Sequence, residues 1–146
     1  GMAGAFIHLG VVAVSTTALL GVLRGVEARG GEIDLRQSYG YVHATPRLAV
    51  GFLVSALALV GLPGTLGFAA EDLLVHGSLA SHPQVGLLLP VATALNAVCL
   101  FRLFSRVFLG TSRAPARGIG DALPRERWAL TAAIVVLVAG GVMPRV

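Results

Sequence analysis

Long hydrophobic runs dominate this chain and limit it to folds in which most residues avoid water. A run of about 20 apolar residues is long enough to cross a bilayer as a helix. In the hydrocarbon core, only helices and closed barrels satisfy their own backbone hydrogen bonds. The pattern predicts an all-α integral membrane bundle of about five spans. The runs cover residues 3–23, 48–62, 65–79, 85–110 and 128–143.

The amino-acid composition excludes an ordinary soluble domain. Hydrophobic residues make up 55% of the chain and charged residues only 12%, whereas soluble domains average about 25% charged residues. All eleven basic residues are Arg and they lie between or at the ends of the runs, so we interpret them as interface anchors and expect no nucleic-acid partner. The single cysteine, Cys99, has no partner for a disulfide. No residue spacing indicates a metal site or a bound cofactor.

The second and third runs are separated by a strong helix breaker. Residues 61–64 read Gly-Leu-Pro-Gly, and Pro and Gly end or kink helices. A hydrophobic stretch interrupted in this way is typical of discontinuous helices at transport sites. We therefore predict one discontinuous helix near Pro63-Gly64 within a single membrane domain that covers residues 1–146.

The arginine distribution predicts an orientation. The connection at residues 24–47 holds four Arg and three acidic residues, while residues 102–127 hold six Arg. If every run crosses the membrane once, these two connections lie on opposite sides. The positive-inside rule then predicts that the Arg-richer connection is cytoplasmic.

Two adjacent carboxylates, Glu71 and Asp72, lie inside the third run. An Asp at the centre of a membrane helix costs about 2.5–3.5 kcal/mol on an insertion scale, and such residues mark ion or proton routes by default. The alternative is that the pair caps a short interfacial helix and touches water. His76 lies four residues after Asp72, which places the two on one helical face.

Two other residues are candidates for the same route. His8 is an imidazole inside the first run, and it acts either as a proton relay or as an interhelical hydrogen-bonding group. Arg102 either snorkels to an interface or is a charge partner of a buried carboxylate. We interpret His43 and His82 as solvated loop residues, since both lie outside the runs.

The segment GLPGTLGFAAEDLL, residues 61–74, resembles the antiporter-like membrane subunits of proton-pumping NADH:quinone oxidoreductase (respiratory complex I) and of multisubunit cation/proton antiporters. In that family a G-x-P-G-T-x-G-F stretch precedes a helix with a key Glu or Lys. Glu71 matches that position. In the branch that carries Lys an Asp follows, which matches Asp72, so the Glu-Asp pair mixes the two branches.

The resemblance covers nearly the whole chain. Residues 96–110 are similar to the family's next helix, with an Arg at the position of Arg102 or Arg106. Arg125-Glu126 and Pro144 match the start and the end of the final helix. His8 stands where the family often has two histidines. By this resemblance the chain corresponds to the last five helices, the C-terminal third, of a subunit of about fourteen.

The resemblance implies proton translocation coupled to quinone reduction, with Glu71 in the terminal half-channel and His8, Asp72 and His76 as relay partners. It also implies that the chain has no catalytic centre of its own. The expected partners are the lipid bilayer, other membrane subunits, and protons or monovalent cations, and the expected location is a bacterial inner membrane. Two alternatives stay open: a non-pumping scaffold subunit or truncated remnant, and a cation/proton antiporter subunit.

Overall fold

A computed structural model describes residues 2–111 and 120–142, and all of the regular structure in those ranges is helical. Five helices follow one another along the chain: α1 (Met2–Gly30), α2 (Pro46–Leu59), α3 (Leu66–Ser81), α4 (Pro83–Phe108) and α5 (Pro124–Val142). The predicted all-α class is confirmed. Pro144, which matches the end of the family's final helix, and the end of the fifth run lie outside the described residues.

The helices follow the hydrophobic runs within a few residues, except at the end of α1. That helix continues seven residues past the predicted run, to Gly30. Its last turns are polar and carry charged pairs: Arg24 lies 3.6 Å from Glu27 one turn later, and Arg29 contacts Glu126 of α5. Two of the described helices, α1 and α4, are long and apolar enough to cross a membrane. At about 1.5 Å per residue they measure about 43 Å and 39 Å.

The order of contacts along α1 shows that α2 and α3 run in the same direction. Near its C-terminal end α1 packs in a cluster with Leu48 and Phe52 of α2. In its middle, Val11 packs with Ala58 and Ala70, and near its start Gly4 lies against Leu73. The two helices are therefore consecutive halves of one path, and both are antiparallel to α1.

Helix α4 returns along the same path. It begins where α3 ends, with Gly86 against Leu79, and it finishes beside α2, where Phe104 and Phe108 contact the buried ring of Phe52. Helix α5 then runs from the polar end of the bundle back to the break between α2 and α3, where Gly141 lies against Thr65.

This arrangement corrects the predicted orientation of the two polar connections. They lie at the same end of the bundle, because backbone N–H groups of Tyr39 and Tyr41 donate to carbonyls of Arg106 and Val107 at the end of α4. The Arg29–Glu126 and Arg47–Asp121 pairs join the same two regions. The prediction failed because it counted α2 and α3 as separate crossings, which inverted every later connection. Arg113 and Arg117, which contributed to it, lie outside the described residues.

Candidate functional site

The break between α2 and α3 is built by a glycine at the end of α2. Gly61 has φ +73°, a conformation that L side chains rarely adopt. Its N–H donates to the carbonyl of Ala58 (3.2 Å), and the Leu62 N–H donates to the carbonyl of Leu57 (2.9 Å). This pair of bonds is the Schellman motif, which satisfies carbonyls that the helix end would otherwise leave free. Pro63 follows and prevents α2 from continuing.

The second half of the broken helix starts close to the end of the first. Thr65 precedes α3, and its hydroxyl donates to the carbonyl of Leu62 at 2.7 Å. Gly67 allows the two halves to approach, because a Cβ there would collide with the carbonyl of Ala58. The N-terminal end of α3 is thus held inside the bundle, about 7 Å along the axis from Glu71.

Glu71 is half-buried and points into this break. One carboxylate oxygen, Oε1, accepts a hydrogen bond of 2.5 Å from the hydroxyl of Thr93 on α4. The other, Oε2, lies so close to Gly61 that a Cβ on that residue would collide with it. The carboxylate is therefore positioned by a neighbouring helix on one side and by bare backbone on the other.

Two grooves meet at Glu71 and Thr93. The first has a volume of about 390 Å³, and its polar lining includes His8, Thr16 and Asn96. The second has a volume of about 400 Å³ and runs past Gly61, Asp72 and Pro90. Glu71 and Thr93 line both. The Glu71 carboxylate is therefore accessible from both grooves.

His8 is the ionisable residue that α1 contributes to the first groove. Its Nδ1 atom is buried and has no hydrogen-bond partner among the described residues. A buried ring nitrogen without a partner is costly unless water or another group reaches it. The sequence-based choice of His8 as a relay candidate therefore stays a prediction, and its position in the groove is compatible with it.

Asp72 and His76 form a pair on the outer face of α3. Their Oδ1 and Nδ1 atoms lie 3.2 Å apart, and the two side chains are 55% and 76% exposed. His76 Nδ1 also lies 3.0 Å from the backbone carbonyl of Asp72. Asp72 lines the second groove together with Glu71, whereas His76 lines neither groove.

Arg102 does not approach the carboxylate. It is exposed on α4, nine residues after Thr93, and it forms no ion pair among the described residues. At about 1.5 Å per residue the two positions are about 13 Å apart along the helix. The buried charge pair that the sequence suggested for Arg102 is not formed with Glu71.

The charged end of the bundle is tied together by a separate ion pair. Arg29 of α1 lies 2.5 Å from Glu126 of α5, and both side chains are largely buried. Burial alone would raise the pKa of Glu126, but hydrogen bonds from Arg29 and from the Leu123 N–H, with the charges of Arg29 and Arg125, lower it below 4.5. This pair joins α1 and α5 and lies apart from Glu71.

Sequence reasoning missed Thr93. A threonine in an apolar helix is common, because its hydroxyl can bond to a backbone carbonyl. Its role becomes visible only when α4 packs against α3, which brings residues 22 positions apart into contact. The spacing of Pro90, Thr93 and Asn96, each three residues from the next, is the one signal that marks this face of α4 in the sequence.

No cluster of three or more metal-binding side chains occurs among residues 2–111 and 120–142. A half-buried carboxylate between two grooves, beside a broken helix in an apolar bundle, is typical of ion-translocating membrane proteins. The fold defines a multi-pass helical membrane protein.

The chain belongs to the family described as "NADH:quinone oxidoreductase/Mrp antiporter, TM", whose model matches residues 1–96. It is 30% identical over 145 residues to NADH-quinone oxidoreductase subunit M of Mycobacterium tuberculosis, which covers 99% of this chain and 26% of that protein.

Two further relatives show the breadth of the family. The putative antiporter subunit mnhD2 of Staphylococcus saprophyticus is 27% identical over 139 residues, which covers 94% of this chain and 28% of that protein. NADH-ubiquinone oxidoreductase chain 5 of Pelomedusa subrufa is 34% identical over 83 residues, or 56% of this chain and 14% of that protein. The chain thus spans about a quarter of the first two relatives.

Proposed function

We propose that this chain moves protons across a membrane as part of an antiporter-like subunit, with Glu71 as the group that takes up and releases the proton. The observation that carries the proposal is the position of Glu71, where the two grooves meet beside the helix break. A carboxylate is costly in an apolar bundle, so its placement there favours a functional role.

In this proposal a proton reaches Glu71 through one groove and leaves through the other. His8, Thr16 and Asn96 line the first groove, and Asp72 lines the second. These polar groups can hold a chain of water molecules along which a proton moves. Asp72, with His76 beyond it, forms the relay toward the outer surface, and we assign this route to the terminal half-channel.

The energy for translocation comes from outside this chain in the proposal. Subunit M of M. tuberculosis is named as part of an NADH-quinone oxidoreductase, and we propose that this chain works in an assembly coupled to quinone reduction in a bacterial inner membrane. The exposure of helix α4 supports the presence of neighbouring subunits in such an assembly, because the most apolar 18-residue stretch of this helix has no buried residue.

A cation/proton antiporter is the second candidate. The similarity to mnhD2, named as a putative antiporter subunit, favours it. Both candidates use Glu71 in the same way and differ in the ion that moves against the proton. A scaffold subunit is the third, and it requires that Glu71 has no part in transport.

The test uses the complete assembly in proteoliposomes, where a pH-sensitive dye reports proton movement and a sodium-sensitive dye reports sodium flux. We expect Glu71→Gln to abolish proton movement while the assembly and its quinone reduction persist. Unchanged proton movement in Glu71→Gln would refute the proposal and support a scaffold role. If proton movement requires a sodium gradient, the result would refute coupling to quinone reduction and support a cation/proton antiporter.

A further inference from the structure

The hydroxyl of Thr93 has two acceptors within reach but only one hydrogen. Its Oγ1 lies 2.5 Å from Oε1 of Glu71 and 3.2 Å from the backbone carbonyl of Leu89, one turn earlier in α4. Only one of these bonds can be donated at a time. We propose that Thr93 turns its hydrogen between the two acceptors, and so keeps Glu71 hydrogen-bonded in both of its protonation states. This inference rests on the proposed function of Glu71.

When Glu71 is ionised, the Thr93 hydroxyl donates to Oε1. A hydrogen bond to a charged acceptor is short and strong, which agrees with the 2.5 Å distance. When a proton arrives on Oε1, that oxygen becomes the donor and the Thr93 oxygen accepts. The Thr93 hydrogen then turns to the carbonyl of Leu89, so Oε1 of Glu71 and the Thr93 hydroxyl both keep a partner. Thr93 gains and loses no proton, and only Glu71 changes its charge.

The position of Thr93 suits this role, because Thr93 and Glu71 line both grooves. Among the described residues that line the two grooves, only two other side chains are titratable. His8 faces it from α1, and Asp72 follows it on α3. No described residue of α2 or α4 that lines the two grooves is charged. Thr93 is therefore a positioning residue for proton transfer, supplied by a helix that carries no ionisable group at the site.

The test replaces Thr93 in the complete assembly. Thr93→Val keeps the shape and removes the hydroxyl, whereas Thr93→Ser keeps the hydroxyl. Thr93→Ala removes the hydroxyl as well and stands in if the valine variant does not assemble. The first readout is the infrared carboxyl band of Glu71 during turnover, assigned by its disappearance in Glu71→Gln. The second readout is the rate of proton movement in proteoliposomes.

We expect Thr93→Val to shift the Glu71 band and to slow proton movement about tenfold, which corresponds to the loss of one hydrogen bond to a charged group. Thr93→Ser should restore both values. A wild-type band and rate in Thr93→Val, with proton movement lost in Glu71→Gln, would overturn this inference and leave the proposed function intact. A shifted band with an unchanged rate would also overturn it. Normal proton movement in Glu71→Gln would overturn the proposed function itself.

Discussion

Replacing Gly61 by Ala should disturb Glu71 in a way that replacing Gly64 should not. Both glycines have positive φ angles, +73° and +92°, so an Ala at either position pays a similar backbone penalty of about 1–2 kcal/mol. A Cβ at Gly61 would collide with Oε2 of Glu71, whereas a Cβ at Gly64 would have no neighbour within 4 Å. The two variants therefore separate backbone strain from displacement of the carboxylate.

The size of the expected effect follows from the Thr93–Glu71 hydrogen bond. At 2.5 Å this bond is short, and a carboxylate displaced by about 1 Å would exceed the usual O–H···O limit of about 3.0 Å. Loss of a hydrogen bond to a charged group corresponds to about tenfold in rate, and misplacement of a reacting group by about 1 Å can reach a hundredfold. We therefore expect proton movement in Gly61→Ala to fall between about tenfold and a hundredfold.

The assay compares both variants in proteoliposomes and measures the thermal unfolding temperature of each. Gly61→Ala and Gly64→Ala should lose similar stability, and only Gly61→Ala should lose most of its proton movement. Equal loss of proton movement in the two variants would show that the break tolerates no strain of any kind. The close approach of Gly61 to Glu71 would then have no separate importance.

Three further predictions concern stability, measured by thermal unfolding. Glu126→Gln should destabilise the protein by about 2–3 kcal/mol, since it removes the charged partner of the largely buried Arg29. Arg47→Gln breaks a more exposed pair, in which Arg47 lies 3.6 Å from Asp121, and should destabilise the protein by less than about 1 kcal/mol. Equal losses of stability in the two variants would contradict this ranking. The pKa of Glu126 is lower in the folded protein than its ordinary value of 4.5, so ionised Glu126 contributes its full stabilisation above pH 4.5. This stabilisation is lost as the pH falls through the lowered pKa. The difference in unfolding temperature between wild type and Glu126→Gln should therefore shrink below pH 4.5. Gly67→Ala should destabilise far more than Gly10→Ala, since a Cβ at Gly67 meets the Ala58 carbonyl and one at Gly10 meets nothing within 4 Å; similar unfolding temperatures would refute the close packing of the helix break.

Local sequence signals predicted the break and the carboxylate, because both depend on residues close together in the chain. The Gly61-Leu62-Pro63-Gly64 sequence combines two glycines with a proline, which strongly favours a helix end, and Glu71 is conspicuous in an apolar run. The five helices follow from hydrophobic length in the same way. These features need no knowledge of how the helices pack.

Features that depend on packing could not be predicted. The contact between Thr93 and Glu71 requires the register of α4 on α3, and the Arg29–Glu126 pair joins residues 97 positions apart. The direction of α3 relative to α2 decides which connections share a side of the bundle. The side assigned to each connection depends on how many membrane crossings precede it. Counting the broken helix as two crossings therefore placed the two polar connections on opposite sides.

The comparison of Glu71→Gln with Asp72→Asn tests the central claim most directly. The two carboxylates are adjacent, and each variant removes one charge from α3, but only Glu71 lies where the two grooves meet, while the Asp72 side chain is 55% exposed. The measurement is the number of protons moved per quinone reduced by the complete assembly in proteoliposomes. We predict that this ratio falls to near zero in Glu71→Gln and stays within about twofold of wild type in Asp72→Asn, because water at the exposed Asp72 position can carry the proton in place of the lost carboxylate. An unchanged ratio in Glu71→Gln, or an equal fall in both variants, would contradict the assignment of Glu71 as the titrating group.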